Sequence, residues 1–167
     1  MEAGATQLGQ ILGTTDDWHT VVVKSTVVPG STEDVITPIL EEESEKKAGG
    51  DFGIGMNPEF LREGTAVQDF LNPDKIVLGA DDDPALADMN EIFQPFISKT
   101  NVPVVETDTR TAKMIKYANN SFLAAKVSLI NDIGNICKEQ DIDAYEVADA
   151  IGLDDRISER FLRSGLG

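Results

Sequence analysis

At 167 residues, 41% hydrophobic and 26% charged, the chain suits one packed domain or parts of two and is too apolar for disorder. Thirty acidic residues against fourteen basic ones give a formal net charge of −16, which repels a phosphate backbone and argues against a nucleic-acid partner. No apolar run approaches the roughly 20 residues that cross a bilayer, so no membrane partner is expected.

The acid excess suits a salt-loving source, where dissolved ions screen mutual repulsion. No basic, hydrophobic leader opens the chain, and the single cysteine, Cys137, has no partner for an internal disulfide. Both point to the cytoplasm.

In chain order, "ATQLGQILG" repeats Leu8, Ile11 and Leu12 at helical spacing and ends at Gly13, a plausible helix stop. "HTVVVKST" (19–26) has a β-branched centre and reads as a buried strand. The next segment offers Ser31 or Thr32 as an N-cap, carries acids in its first turn, and closes with Lys46, Lys47 and Gly49-Gly50. Pro38 inside it should interrupt that helix. "DFGIGM" and "KIVLGA" (75–80) are strand candidates, followed by a helix across "PALADMNEIFQPFI" and a short strand, "VPVVET" (102–107). This alternation predicts an α/β fold with a mostly parallel sheet through residue 107.

Beyond that point the pattern becomes helical. From Thr107 or Asp108 to about Gln140, a stripe of Ile115, Ala118, Phe122, Ala125, Leu129, Ile133 and Ile136 recurs at threes and fours. "DIDAYEVADAIG" predicts a second helix, with Asp143 and Glu146 as a capping box and Gly152 as the stop. A shorter helix is expected over "DDRISERFL". No G-x-G-x-x-G turn opens any βα unit, so no dinucleotide phosphate cradle is legible. The chain reads as a piece from the middle of something longer.

Several short stretches can carry chemistry. In "MNPEFLREGTAVQDFLN" (56–72), Glu59 and Glu63 would share one face of a helix and can take a proton or hold a water; the ordinary alternative is a solvated turn with Arg62 neutralising both. Lys24-Ser25-Thr26 ends a strand, where hydroxyls either bind a ligand or cap a helix. Lys116 and Asn120 lie four apart on the long helix, off the apolar stripe, and can stabilise an oxyanion or simply face water. Cys137 reads as a buried structural thiol, and His19, the one histidine, leaves no histidine-based metal site or triad.

Taken in order, "KSTVVPGST", "NPEFLREGTAVQDFLNPDKIVLG", "ETDTRTAKMIKYANNSFLAAKVSLINDIGNIC" and "IGLDDRISERFLRSGLG" closely resemble consecutive stretches of the UDP-glucose 6-dehydrogenase family. That family belongs to the wider group of UDP- and GDP-sugar dehydrogenases, and the likeness covers nearly the whole chain. The resemblance implies two NAD-dependent oxidations of C6 of a nucleotide sugar, with a cysteine holding the intermediate as a thiohemiacetal and then a thioester. It implies that residues 1–106 are the second half of a Rossmann-like NAD domain. Residues 107–167 would then be a central helical domain that makes a homodimer through the helix at 108–140.

Residue by residue, Glu59, Phe60, Leu61, Arg62 and Glu63 resemble the segment that contacts the UDP-sugar substrate. Glu59 resembles the carboxylate that orders a water or acts as base, and Glu63 one that touches both substrate and NAD. Thr26 resembles the hydroxyl that holds that water near the nicotinamide, and Lys116 the ammonium that stabilises the C6 oxyanion with Asn120 assisting. Phe161, Leu162, Arg163, Ser164 and Gly165 resemble the loop that closes over the sugar nucleotide.

The family pattern continues after "SGLG" to a nucleophilic cysteine that these 167 residues do not contain, and Cys137 does not match it. Without that nucleophile the second oxidation has no covalent anchor, and without phosphate-binding glycines NAD should bind poorly, so the isolated chain is expected to be inactive. A GDP-mannose dehydrogenase is the nearest alternative reading, an N-acetylated UDP-sugar enzyme the next. A non-catalytic dimerisation module or a gene remnant are the readings of a different class.

Overall fold

The computed structural model of the chain describes residues 1–165. The chain folds as two units that meet inside the long helix, Met1–Lys116 and the residues from Tyr117 onward. The first contains helix α1 (Glu2–Leu12), strand β1 (Thr20–Val23), helix α2 (Thr37–Ser44), strand β2 (Gly53–Met56), helix α3 (Ala66–Leu71), strand β3 (Ile76–Ala80), helix α4 (Asp83–Thr100) and strand β4 (Val104–Thr107). Helix α5 (Thr109–Glu139) then leads into the second unit, which adds helix α6 (Ala144–Gly152).

The four strands pair in chain order, β1-β2-β3-β4. β1 and β2 are parallel, as are β3 and β4, but β2 and β3 are antiparallel. The sheet is thus mixed, with its halves running in opposite directions. A parallel connection needs a crossover long enough to carry the chain back along the sheet. Between β2 and β3 the only helix is α3, six residues and so about 9 Å long. The chain therefore stays near the end of β2 and re-enters in the opposite direction.

Side chains alternate across the sheet with period two. Val23 of β1, Ile54 and Met56 of β2 and Val77 of β3 join Ala5 and Leu12 of α1 and Leu40 of α2 in one cluster. Ile76 and Leu78 of β3 join Met89 of α4 and Val102 in another, with Val22, Phe93 and Phe96 packed against it. Each face is thus covered by helices, which explains the continuous apolar reading of the strands. Gly55 presents no side chain to the α4 face, because a Cβ there would come within 2.4 Å of Met89 Sδ.

Local corrections have local causes. Residues Thr32–Ile36 form a π-helical turn before α2, closed by the Thr37 N–H on Thr32 O. Pro38, with no N–H to give, follows at once, and the wider turn delivers the chain into α2 without the missing donor. The helix then ends at Glu45, which is left-handed (φ 58°), so Lys46, Lys47 and the glycine pair lie beyond it. Gly13 and Gly152 both close their helices within right-handed geometry or in the last turn, and Asp143 caps α6 through the Tyr145 N–H. The helix expected over "DDRISERFL" does not form. Asp154 instead folds back on the Arg156 N–H (3.0 Å) and guanidinium, and Ser158 and Phe161 are left-handed (φ 64° and 65°).

The apolar stripe of α5 is divided: Ile115 and Ile133 pack against core clusters, and other members face outward. Phe122 is 73% exposed, and Leu129 and Ile136 are likewise open. The positions turned inward are Ala112, Lys113, Lys116, Ile130 and Cys137.

The start of α5 is pinned against β3. A Cβ on Gly79 would meet Ala112 Cβ at 2.5 Å and the Asp108 carbonyl at 2.9 Å. Gly79→Ala should therefore force helix and strand apart and cost about 1–3 kcal/mol, read as a lower midpoint in urea denaturation.

Candidate functional site

Because β1 and β2 are parallel, the residues that follow them, Lys24 and Asn57, emerge side by side. Asn57 is 4% exposed and fully engaged. Its backbone N–H donates to Val23 O (3.0 Å), its Nδ2 donates to Val77 O (2.8 Å), and its Oδ1 accepts from Lys24 Nζ. Pro58 and Glu59 follow, so the path into the first glutamate starts from a residue tied to β1 and β3.

Lys116 reaches this segment from α5. It is 5% exposed, which refutes the solvent-facing alternative. Its Nζ donates to the Glu59 carbonyl and lies 3.2 Å from Glu59 Oε1, while Glu59 Oε2 accepts from the Leu61 N–H at 2.8 Å. The Phe60 ring has Lys75 Nζ 4.3 Å and Lys116 Nζ 5.2 Å from its centre. Burial pushes the Glu59 carboxyl up, but the Leu61 N–H, the Lys116 ammonium and the more distant Lys24 together hold it below its usual range. Lys24 is lowered by burial, with Glu59 opposing.

Arg62 does not neutralise the glutamates. Its guanidinium grips Asp69 through Nε (3.0 Å) and Nη2 (2.5 Å), and its N–H donates to the same carboxylate at 2.9 Å. That grip holds the Asp69 carboxyl well below the carboxylate range. Residues 57–62 are not helical, so the shared helical face of Glu59 and Glu63 does not exist; Leu61 and Glu63 are exposed. Thr26 is exposed in the loop after β1, and Asn120 is exposed on α5.

Within the second unit, Leu162 is buried with Ile130 and Ala148, so its side chain serves packing. Arg163 pairs with Asp149 at 2.9 Å and lies over the Tyr145 ring, and Ser164 Oγ donates to Ile130 O at 3.5 Å. Gly165 and Asn131 exchange two hydrogen bonds of 2.8 Å. Phe161 is half-buried, and a shallow cleft of about 460 Å³ opens beside Asn131, Asn135, Tyr145 and Ser164. Cys137 is buried and free.

Sequence reasoning passed over two groups. The Lys24–Asn57 bond was signalled by their matching places after two adjacent parallel strands. The other is a buried cluster at the start of α5: Lys113, 1% exposed, donates to Thr32 Oγ1, and the Thr109 hydroxyl lies between Asp81 (2.6 Å) and Glu33 (2.5 Å). Burial lowers Lys113, with Glu33 opposing. Its signal was the three-residue spacing from Lys116, which puts both lysines on one helix face.

A carboxyl held low in the folded state stabilises the fold above its ordinary pKa, and that contribution fades as the pH falls through the lowered value. Glu59→Gln should therefore be less stable than the parent at neutral pH. The gap should close in acid, measured by urea denaturation across a pH series.

Residues 1–97 match the NAD binding domain of the UDP-glucose/GDP-mannose dehydrogenase family, and residues 110–167 match its central domain. UDP-glucose 6-dehydrogenase AglM of Haloferax volcanii is 57% identical over 168 residues, covering 100% of this chain and 39% of the relative. GDP-mannose 6-dehydrogenase of Pseudomonas putida is 40% identical over 167 residues, covering 99% of this chain and 37% of the relative. A UDP-glucose dehydrogenase structure from the hyperthermophilic archaeon Pyrobaculum islandicum superposes with a TM-score of 0.91 at 40% identity, covering 99% of this chain and 37% of that one. The chain thus spans little more than a third of the length of these relatives. Two family domains matched in order, and a fold shared along almost the whole chain, have one meaning: the chain belongs to the UDP-glucose/GDP-mannose dehydrogenase family.

Proposed function

We propose that the chain is part of a UDP-glucose 6-dehydrogenase that oxidises C6 of UDP-glucose to the acid in the cytoplasm of a salt-loving cell. Residues 1–106 contribute to the NAD domain and residues 107–167 to the central domain. The observation that carries this reading is the buried Lys116 ammonium paired with Glu59 in the "NPEFLREG" segment. An ammonium has three N–H donors. Glu59 takes two, on its carbonyl and its carboxylate, and the third is left to stabilise the oxygen of a substrate alcohol as its proton departs.

Glu59 is held ionised and so can accept that proton directly or through a water. NAD, when bound, supplies the hydride acceptor. The chain's own residues suit part of such a site: the exposed Ser25 and Thr26 offer hydroxyls beyond the end of β1, where open α/β sheets hold ligands. Thr26 would hold a water beside the nicotinamide, and Glu63 would contact both substrate and NAD. Asn120 would assist Lys116; Phe60, Leu61 and Arg62 would contact the substrate, and Phe161, Leu162, Arg163, Ser164 and Gly165 are each proposed as substrate-binding by family resemblance. Phe122, Leu129 and Ile136, open and seven residues apart on α5, support a homodimer through that helix.

GDP-mannose is the second reading, supported by the 40% identity to a GDP-mannose 6-dehydrogenase.

Titration of the isotope-labelled chain with UDP-glucose should perturb NMR signals of residues 59–62 and Lys116 saturably, and GDP-mannose should do so more weakly. Lys116→Ala should weaken the UDP-glucose response about tenfold or more, the loss of a charged hydrogen bond. No perturbation at Glu59 or Lys116 would overturn the assignment. With NAD and UDP-glucose the chain should yield no absorbance of reduced nicotinamide, since no glycine-rich turn in these 167 residues cradles the cofactor's phosphates.

Leu129→Glu should convert a dimer into a monomer in analytical ultracentrifugation; an unchanged sedimentation profile would exclude that helix as the interface.

A further inference from the structure

Lys24 stands outside the set of side chains that the proposed reaction uses, yet it is built into the frame of the site. Its Nζ donates to Asn57 Oδ1 and lies 5.6 Å from the centre of the Phe93 ring. The amide it holds has no freedom left. Val77 O can only accept and an ammonium can only donate, so the two contacts determine which way the Asn57 amide is turned. The Asn57 N–H, on Val23 O, ties the same residue to β1. Pro58, with its restricted φ, follows, and then comes Glu59.

A second influence of Lys24 acts through space. The charged group in contact with the Glu59 carboxylate is Lys116 from α5, and Lys24 from the end of β1 adds a weaker electrostatic pull; Leu61 adds its N–H, while Arg62 is committed to Asp69. Lys75 faces the Phe60 ring beside them. Lys116 is shared between the Glu59 backbone and side chain. Lys24 is thus the cation that acts on Glu59 without itself being in the contact pair.

We propose that Lys24 is a positioning residue for the Glu59–Lys116 pair: it locks the Asn57 amide between β1 and β3, two residues before Glu59. The proposal deepens the dehydrogenase reading, which needs an ionised Glu59 before substrate arrives, but it is testable on the free chain.

The experiment follows the Glu59 side-chain carbon by NMR through a pH titration, with Glu59→Gln used for assignment. It compares the parent chain with Lys24→Met and Lys24→Arg. Lys24→Met removes charge and donor, and should move the Glu59 midpoint upward and speed solvent exchange of the Asn57 side-chain amide. Lys24→Arg keeps the charge and should restore the parental midpoint. The Asp154 carboxyl, tied to Arg156, should titrate alike in all variants.

If Lys24→Met does not fold, Lys24→Gln replaces it: the amide keeps a donor for Asn57 but carries no charge. It should still raise the Glu59 midpoint while leaving Asn57 protected. Solvent exchange of the Asn57 side-chain amide no faster in folded Lys24→Met than in the parent overturns the proposal, as does a Glu59 midpoint unmoved in a folded, uncharged variant or one that Lys24→Arg fails to restore. Because no substrate is present, that result leaves the dehydrogenase reading standing. A missing response to UDP-glucose would count against that reading alone.

Discussion

An ammonium taken out of water must be met by partners of opposite charge or by hydrogen-bond acceptors, and α5 carries two such groups in its first two turns. Lys116 is met by Glu59 and Lys113 by Thr32, with Glu33 close enough to act on it. Thr109, at the head of the same helix, is held by Asp81. The partners come from the segments that follow β2, β1 and β3 respectively. Satisfying the start of one helix thus draws three loops together.

This placement matters more in a chain with so few cations. Fourteen basic residues face thirty acidic ones, so most carboxylates are left to water. Lys24, Lys75 and Lys116 nevertheless gather around the Asn57–Phe60 stretch, where Glu59 is the carboxylate in contact. A site of that polarity is suited to an anionic ligand and to charge that develops on an alcohol oxygen. The low dielectric around Lys116 strengthens its interaction with Glu59, and would strengthen equally its hold on an incoming oxygen.

Strands β1 and β3 were legible because their residues are largely shielded on both faces and rich in β-branched side chains, a pattern that survives without knowledge of neighbours. The direction of β3 was not legible. It depends on whether the chain between residues 57 and 75 can return along the sheet, and the short α3 decides that it cannot. The stripe on α5 was legible as a period, but the period does not say what covers it. Periodicity shows which side chains share a face; Phe122, Leu129 and Ile136 share one that the chain itself leaves uncovered.

The site divides along the same line. "NPEFLREG" and "KMIKYANNSF" specified a family and, through it, the residue types that the chemistry needs. Which carboxylate meets Lys116, the commitment of Arg62 to Asp69, and the hold of Lys24 on Asn57 were settled by tertiary structure. Local sequence encodes backbone preference, apolar period and chemical capacity. The pairing of charges from segments far apart depends on where the sheet and the helix bring them, and on the energetic requirement that a buried charge not be left alone.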